Sequence, residues 1–241
     1  MSIGQNSAIL KRRMHHIRPY KFFALIDAPP AERIVQAALP HRRGIGGVSL
    51  LEMFLIIAAS RIVDARHVFE FGTFLGSTTL NLALNVPEDG AVFTLDLGEQ
   101  QAEEAKQDVA DAPLTGIHLA AKSGLDFVGS PVESKITTLT GNSTIFDFSR
   151  WNQSVDLVFI DGGHDFVTVK SDSENAFRMA SKKKPSCVLW HDYRNRDYQD
   201  LTSYLDGLSE KRQLVHVEDT MLCAWFNDPH DRIWSNLLTA H

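Results

Sequence analysis

His67–Ala83, HVFEFGTFLGSTTLNLA, is the stretch whose reading decides the fold. His67–Phe71 has the composition of a buried strand, Gly72 and Gly76 mark a turn, and a helical pattern begins near Ser77 or Thr78. Two glycines four residues apart let the backbone turn sharply and leave it free of side chains, so a ligand can lie against the first turn of the helix. A nucleotide-like cofactor is the first candidate. The dinucleotide fingerprint G-x-G-x-x-G is not met, because Phe74 stands two residues after Gly72 and the spacing is E-x-G-x-x-x-G. A pyrophosphate would be poorly served there.

Outward from this turn the chain alternates strands and helices. Upstream, Ser49–Val63 reads as a helix with Ser49 as N-cap and Glu52 closing a capping box, and Ala31–Leu39 as a short helix stopped by Pro40. Between them, His41–Gly47 (HRRGIGG) reads as a glycine-rich lid loop. Downstream, Ala91–Leu95 is a second buried strand ending at Asp96, which completes a βαβ unit with parallel strands. Asp96 lies 26 residues after Glu70, at a strand's carboxyl end, where an acid can accept hydrogen bonds from both hydroxyls of a ribose. Glu99–Asp111 reads as a polar helix, Ala112–Ser134 as a loop-rich segment, and Lys135–Leu139 as a strand leading to Gly141-Asn142-Ser143. Val155–Ile160 runs into Asp161-Gly162-Gly163-His164-Asp165, and Ser186–Trp190 into His191-Asp192-Tyr193. Helices at Val167–Ala180 and Arg196–Leu208 separate these strands from a closing antiparallel hairpin, Gln213–Glu218 with Met221–Phe226.

The bulk numbers narrow the class. A chain of 241 residues, 44% hydrophobic and 22% charged, is enough for one large α/β domain with a short appendage. We divide it into an N-terminal arm and lid segment, 1–46, and a cofactor-binding domain, 47–241. A net charge of −6 speaks against a general nucleic-acid footprint and favours a small or neutral substrate. Cys187 and Cys223 sit in apolar runs and read as core. The longest apolar run, Leu50–Ala59, is well short of the ~20 residues of a membrane span. With no signal peptide evident, the expected location is cytoplasmic. The basic cluster Lys11, Arg12, Arg13, Arg18 and Lys21, with His15 and His16, reads as a solvated or subunit-crossing arm, through which a homo-oligomer would form.

Together these features resemble a class I S-adenosylmethionine-dependent methyltransferase over about Gly47–Phe226. The pairing of FIDGGHDFVTVKSD with VLWHDY is similar to the bacterial O-methyltransferase group that includes macrocin-type and cephalosporin-hydroxylase-like proteins. The resemblance implies a doubly wound α/β fold: a mostly parallel, seven-stranded, Rossmann-like sheet closed by the antiparallel hairpin. It implies S-adenosylmethionine as cofactor, held by Glu70, Gly72, Thr73, Gly76, Ser77, Asp96 and Asp161, with Asn142 and Ser143 at the adenine. It also implies Mg²⁺ or another divalent cation on Asp161, His191 and Asp192. His191 stands where catechol-type relatives carry an acid, and imidazole suits Mn²⁺, Fe²⁺ or Zn²⁺ better than Mg²⁺.

The expected reaction is O-methylation of a hydroxyl on a small sugar, phenol or natural product. The catalytic pair would be Asp161 and His164, the latter as general base because its ordinary pKa suits proton removal at neutral pH. His164 or Asp165 as a plain helix cap is the structural alternative. Two competing readings are a metal-dependent hydrolase or oxygenase built on Asp161, His164, His191 and Asp192, and a non-catalytic cofactor-binding domain.

Overall fold

The computed structural model describes residues 14–39, 47–104, 111–121 and 125–238. Its chain runs β1 (Met14–Ile17), α1 (Pro19–Phe23), α2 (Leu50–Ile62), β2 (His67–Phe71), α3 (Ser77–Asn85), β3 (Ala91–Asp96), α4 (Glu99–Glu104) and α5 (Ala112–Ala121). It continues through β4 (Ile136–Thr140), β5 (Leu157–Ile160), α6 (Phe166–Met179), β6 (Ser186–Trp190), α7 (Gln199–Ser209), β7 (Leu214–Val217), β8 (Cys223–Asn227) and α8 (Arg232–Leu238).

The eight strands form one sheet in the order β1-β7-β8-β6-β5-β2-β3-β4. All neighbours pair in parallel except β8, which lies antiparallel between β6 and β7. β2, β5 and β6 are apolar almost throughout because both faces of the sheet are covered, and successive side chains go to opposite layers. Val68, Leu157, Phe159 and Leu189 meet Leu55 and Ile56 of α2, Leu82 of α3, and Ile233 and Trp234 of α8. Phe69, Phe71, Val158, Ile160 and Trp190 meet Val169, Ala176 and Met179 of α6 and Leu201 and Leu205 of α7.

Three expectations change. The sheet has eight strands rather than seven, because Met14–Ile17, taken as part of an arm, pairs in parallel with β7. Ala31–Leu39 is not an α-helix: a single 3₁₀ turn, Pro30–Arg33, gives way to extended chain, with the backbone of Gln36 and Ala38 bonded to Asn85 and Asn81 of α3. The segment read as loop-rich contains α5. The lid loop 41–46, residues 105–110 of the expected polar helix, and Lys11–Arg13 lie outside the described residues. No described helix is long and apolar enough to cross a membrane.

Strand order reverses between β2 and β5, since the chain proceeds from β2 to β3 and β4 on one side and returns to β5 and β6 on the other. In an open parallel sheet this reversal opens a crevice at the strands' carboxyl ends. Here those ends are Phe71-Gly72 and Ile160-Asp161, stitched together where the Asp161 amide donates to the Phe71 carbonyl at 2.9 Å.

Candidate functional site

A cavity of about 510 Å³ occupies that crevice. Its walls include Gly72 and Phe74 after β2, Asp96 at the end of β3, Asn142 and Ser143 after β4, Asp161 to Asp165 after β5, and His191 and Asp192 after β6. Leu114, Thr115 and His118 of α5 close one side, and Gly47 stands at the rim. The volume lies within the ~300–1,000 Å³ usual for small-molecule sites.

The glycine turn is shaped by close approach. Gly72 has φ +90, and a Cβ built there would lie 2.0 Å from the Asp161 carbonyl oxygen; at Gly76, φ +82, it would lie 2.6 Å from the Phe127 ring. Both positions require glycine on backbone conformation and on space. Gly72 reaches the cavity, whereas Gly76 packs behind it.

Glu70 is not at the cavity. It shares the sheet face of Val68 and is fully buried beneath α3, where its Oε2 accepts from the hydroxyls of Thr79 and Thr94, the latter at 2.6 Å. Thr73 continues the hydroxyl chain to Thr94 at 2.7 Å. Burial pushes the Glu70 carboxyl up to about 8, against the pull of the two hydroxyls, and its Oε1 has no partner among the described residues. Glu70, Thr73, Gly76 and Ser77 therefore stand behind the cavity wall, as supports of the turn.

Asp96 is on the wall, its Oδ2 accepting from the Phe74 amide at 2.8 Å and its Oδ1 from the Leu97 amide at 2.7 Å. His118, which the sequence did not single out, reaches over from α5 with Nδ1 2.6 Å from the Phe74 carbonyl and 3.7 Å from Asp96. Asn142, on the cavity wall, accepts with its side-chain oxygen from the Thr144 amide at 3.0 Å and hydroxyl at 2.8 Å in a local turn.

The second half of the site is a chain of acids and imidazoles. Asp161, His191 and Asp192 each offer a ligand atom, all within 4.8 Å of one another. His191 Nδ1 lies 3.2 Å from Asp161 and 3.0 Å from Asp192, while its Nε2 faces Glu52 of α2 at 3.5 Å. Glu52 does more than cap its helix, because it also accepts from the Met221 amide at 2.8 Å. Hydrogen bonds and the facing imidazole hold its carboxyl down near about 2 despite burial. The three surrounding carboxylates raise His191 well above the ordinary imidazole value, against its burial. Asp192, with left-handed backbone at φ +62, is anchored from the other side by the Asn195 amide at 2.6 Å.

His164 occupies a different role from the one expected. Its Nδ1 lies 2.8 Å from Asp111 and its Nε2 3.1 Å from Asp192, and Tyr198 stacks on the ring at 3.6 Å. Burial opposes charge, but the two carboxylates lift the ring to about 9, so at neutral pH it is an imidazolium with both nitrogens engaged. A general base needs a free lone pair, so His164 is a cationic brace between α5 and β6 instead. The cap of α6 is Asp165, whose side chain accepts from the Val167 and Thr168 amides.

A family model described as a methyltransferase domain matches residues 69–193, just over half of the chain. Among solved structures, a Staphylococcus aureus protein provisionally assigned as a caffeoyl-CoA O-methyltransferase superposes with TM-score 0.54 at 15% identity, over 73% of this chain and 82% of that one. The SAH-bound methyltransferase of Podospora anserina gives 0.52 at 14% identity, over 93% and 97%. A Geobacter sulfurreducens methyltransferase gives 0.51 at 14%, over 76% and 81%. No curated protein gives a significant sequence match. The solved structures share this fold. With the domain match running from β2 through the turn after β6, and so through the carboxyl ends of β2, β3, β4, β5 and β6 that line the cavity, the chain belongs to the methyltransferase-domain family.

Proposed function

We propose that this chain is an S-adenosylmethionine-dependent O-methyltransferase acting on a hydroxyl of a small molecule. The observation that carries the reading is the placement of Asp96 on one wall of the β2–β5 crevice and of Asp161, His191 and Asp192 on the other. One end suits a ribose and the other an oxygen nucleophile. The SAH in the Podospora anserina structure and the O-methyltransferase assignment of the Staphylococcus aureus protein support the same choice.

In this reading the bare backbone at Gly72 lies along the cofactor, Asp96 accepts from its ribose hydroxyls, and Asn142 and Ser143 border its base. When bound, S-adenosylmethionine supplies a methyl group on a sulfonium, which an oxygen nucleophile takes in an in-line displacement. Asp161 holds the acceptor hydroxyl and takes its proton, and holding both reactants in line supplies much of the rate. Two carboxylates and an imidazole so close together fit a divalent cation, and the nitrogen donor favours Mn²⁺, Fe²⁺ or Zn²⁺ over Mg²⁺. Such an ion would lower the pKa of the hydroxyl. The hydrolase, oxygenase and non-catalytic readings lose their ground once the chain is placed in a methyltransferase family.

The test is calorimetry with S-adenosylmethionine followed by a screen of sugar and phenol acceptors, with and without exhaustive chelation. Wild type is expected to bind at micromolar affinity and Asp96→Ala at least about tenfold more weakly, the scale of one charge-assisted hydrogen bond. Absence of binding to wild type would overturn the reading. Turnover unchanged by chelation would remove the metal from it.

A further inference from the structure

His191 brings two ring nitrogens to its end of the cavity, and only one of them can serve an ion there. Nδ1 lies 3.2 Å from Asp161 and 3.0 Å from Asp192, the carboxylates with which it forms the ligand cluster. Nε2 faces the other way, is buried, and makes no hydrogen bond within bonding geometry among the described residues. A buried N–H without an acceptor is costly. The acceptor that faces it is Oε2 of Glu52, at 3.5 Å, and about 0.3 Å of movement brings the pair within hydrogen-bond range.

Glu52 is held for that partnership from two sides. It is the third residue of α2 and only 3% exposed. The Ser49 amide donates to its Oε2 at 2.8 Å, and the Met221 amide, from the turn between β7 and β8, donates to its Oε1 at 2.8 Å. A capping box needs the first of these bonds alone, and needs no burial. Resting on the divalent-cation reading of Asp161, His191 and Asp192, we infer that Glu52 is the positioning residue of that centre: it accepts from Nε2–H of His191 and so keeps the Nδ1 lone pair for the ion. A carboxylate partner of this kind fixes the tautomer and orientation of a ligating imidazole and raises its basicity. An acid at position 191 would have no second nitrogen to satisfy, so the imidazole and the buried glutamate belong together. Glu52 lies upstream of residues 69–193, which match the methyltransferase domain, so the partner comes from this chain's own preceding helix.

The test is calorimetric titration of the ligand-free protein with Mn²⁺ and with Zn²⁺, in wild type, Glu52→Gln and Ser49→Ala. A glutamine at position 52 must either turn an N–H toward His191 or leave the Met221 amide bare. Its affinity for both ions is expected to fall about 10–100-fold. Ser49→Ala removes the hydroxyl cap alone and is expected to melt at a lower temperature with affinity unchanged. In nitrogen-15 histidine spectra of the Zn²⁺-loaded wild type, the His191 proton should sit on Nε2. Equal affinity in wild type and Glu52→Gln overturns the assignment, and so does a His191 proton found on Nδ1, a measurement that needs no variant to fold. An equal loss of affinity in Ser49→Ala and Glu52→Gln also overturns it, by marking Glu52 as a helix cap only. Failure of wild type to bind either ion, with S-adenosylmethionine binding intact, would instead take away the cation reading on which the assignment rests.

Discussion

Glu70 sits where the resemblance placed a cofactor ligand, and the pleat of β2 decides otherwise. Alternate residues of a strand face opposite layers, so Glu70 follows Val68 under α3, while Phe69 and Phe71 take the face toward α6. An acid at a strand end is legible in sequence, but the layer it enters depends on register and on which helix covers it. The sign of its effect on stability is fixed by its raised carboxyl. The protonated form is favoured in the folded state, so stability is full below the ordinary glutamate range and is lost as pH rises toward about 8. At about 1.4 kcal/mol for each pH unit of displacement, ionising Glu70 by pH 8 costs on the order of 5 kcal/mol. Glu70→Gln keeps an acceptor for Thr79 and Thr94 and removes the charge. Urea unfolding at pH 5 and pH 8 should show that the variant loses less stability over this interval than wild type. An identical loss in both would contradict the buried-acid account.

α5 is the element that sequence reading did not resolve, and its composition explains why. Pro113 and Gly116 break the helical pattern of APLTGIHLAA, although proline is tolerated in a first turn and glycine costs only about 1 kcal/mol in a helix. The strands of the sheet were legible because each is an apolar run bounded by turn residues. The capping box of α2 was legible because it is local, but the reach of Glu52 to His191 and Met221 was not. Asp161, His191 and Asp192 could be read from their place at strand ends. Asp111 and His118 could not, since only tertiary packing brings them to the cavity. Two polar ties fasten α5 over the cavity: Asp111 to His164, through both the ring and the backbone amide, and His118 to the Phe74 carbonyl. Asp111→Asn keeps one acceptor and loses the charge, a difference of about 1–2 kcal/mol for a bond to an ionised partner. Amide exchange across 112–121, followed by mass spectrometry, should then quicken about tenfold. Unchanged protection would mean that the ties to His164 do not hold α5.

At the scale of the molecule, one connected set of charges spans the sheet's carboxyl edge. Glu52 of α2, His191 and Asp192 after β6, Asp161 and His164 after β5 and Asp111 before α5 each touch the next. Two imidazoles with raised values contribute stability that is full below pH 6.5 and declines as pH passes about 9 at His164 and higher at His191. This runs in the same direction as Glu70, so the fold is tightest on the mildly acidic side as far as these groups decide it. The lowered carboxyls of Glu52 and Asp192 run the opposite way, their stabilisation lost as pH falls below the ordinary carboxylate range, and so does the contact between β1 and β7. His16 of β1 and His216 of β7 meet Nδ1 to Nδ1 at 3.0 Å, and burial holds His216 below its ordinary value. A bond between two ring nitrogens needs one of them unprotonated, so this contact is present above pH 6.5 and weakens as pH falls below it.

β1 and β7 also set an order of events. Met14 pairs with Leu214 and His16 with His216, residues 200 apart along the chain. A growing polypeptide can shape β2, α3 and β3 from neighbouring residues, but the partner of β1 does not exist until β2 to β6 have been synthesised. Closing so distant a contact is slow, and until it closes β7 presents a bare strand edge to other chains. In pulse-labelled refolding, the amides of Met14–Ile17 are expected to gain protection after those of β2 and β3; simultaneous protection would show that the ends meet first. The strand expected as part of a loose arm thus covers the outer edge of β7, and the interval before it closes leaves that edge open to aggregation.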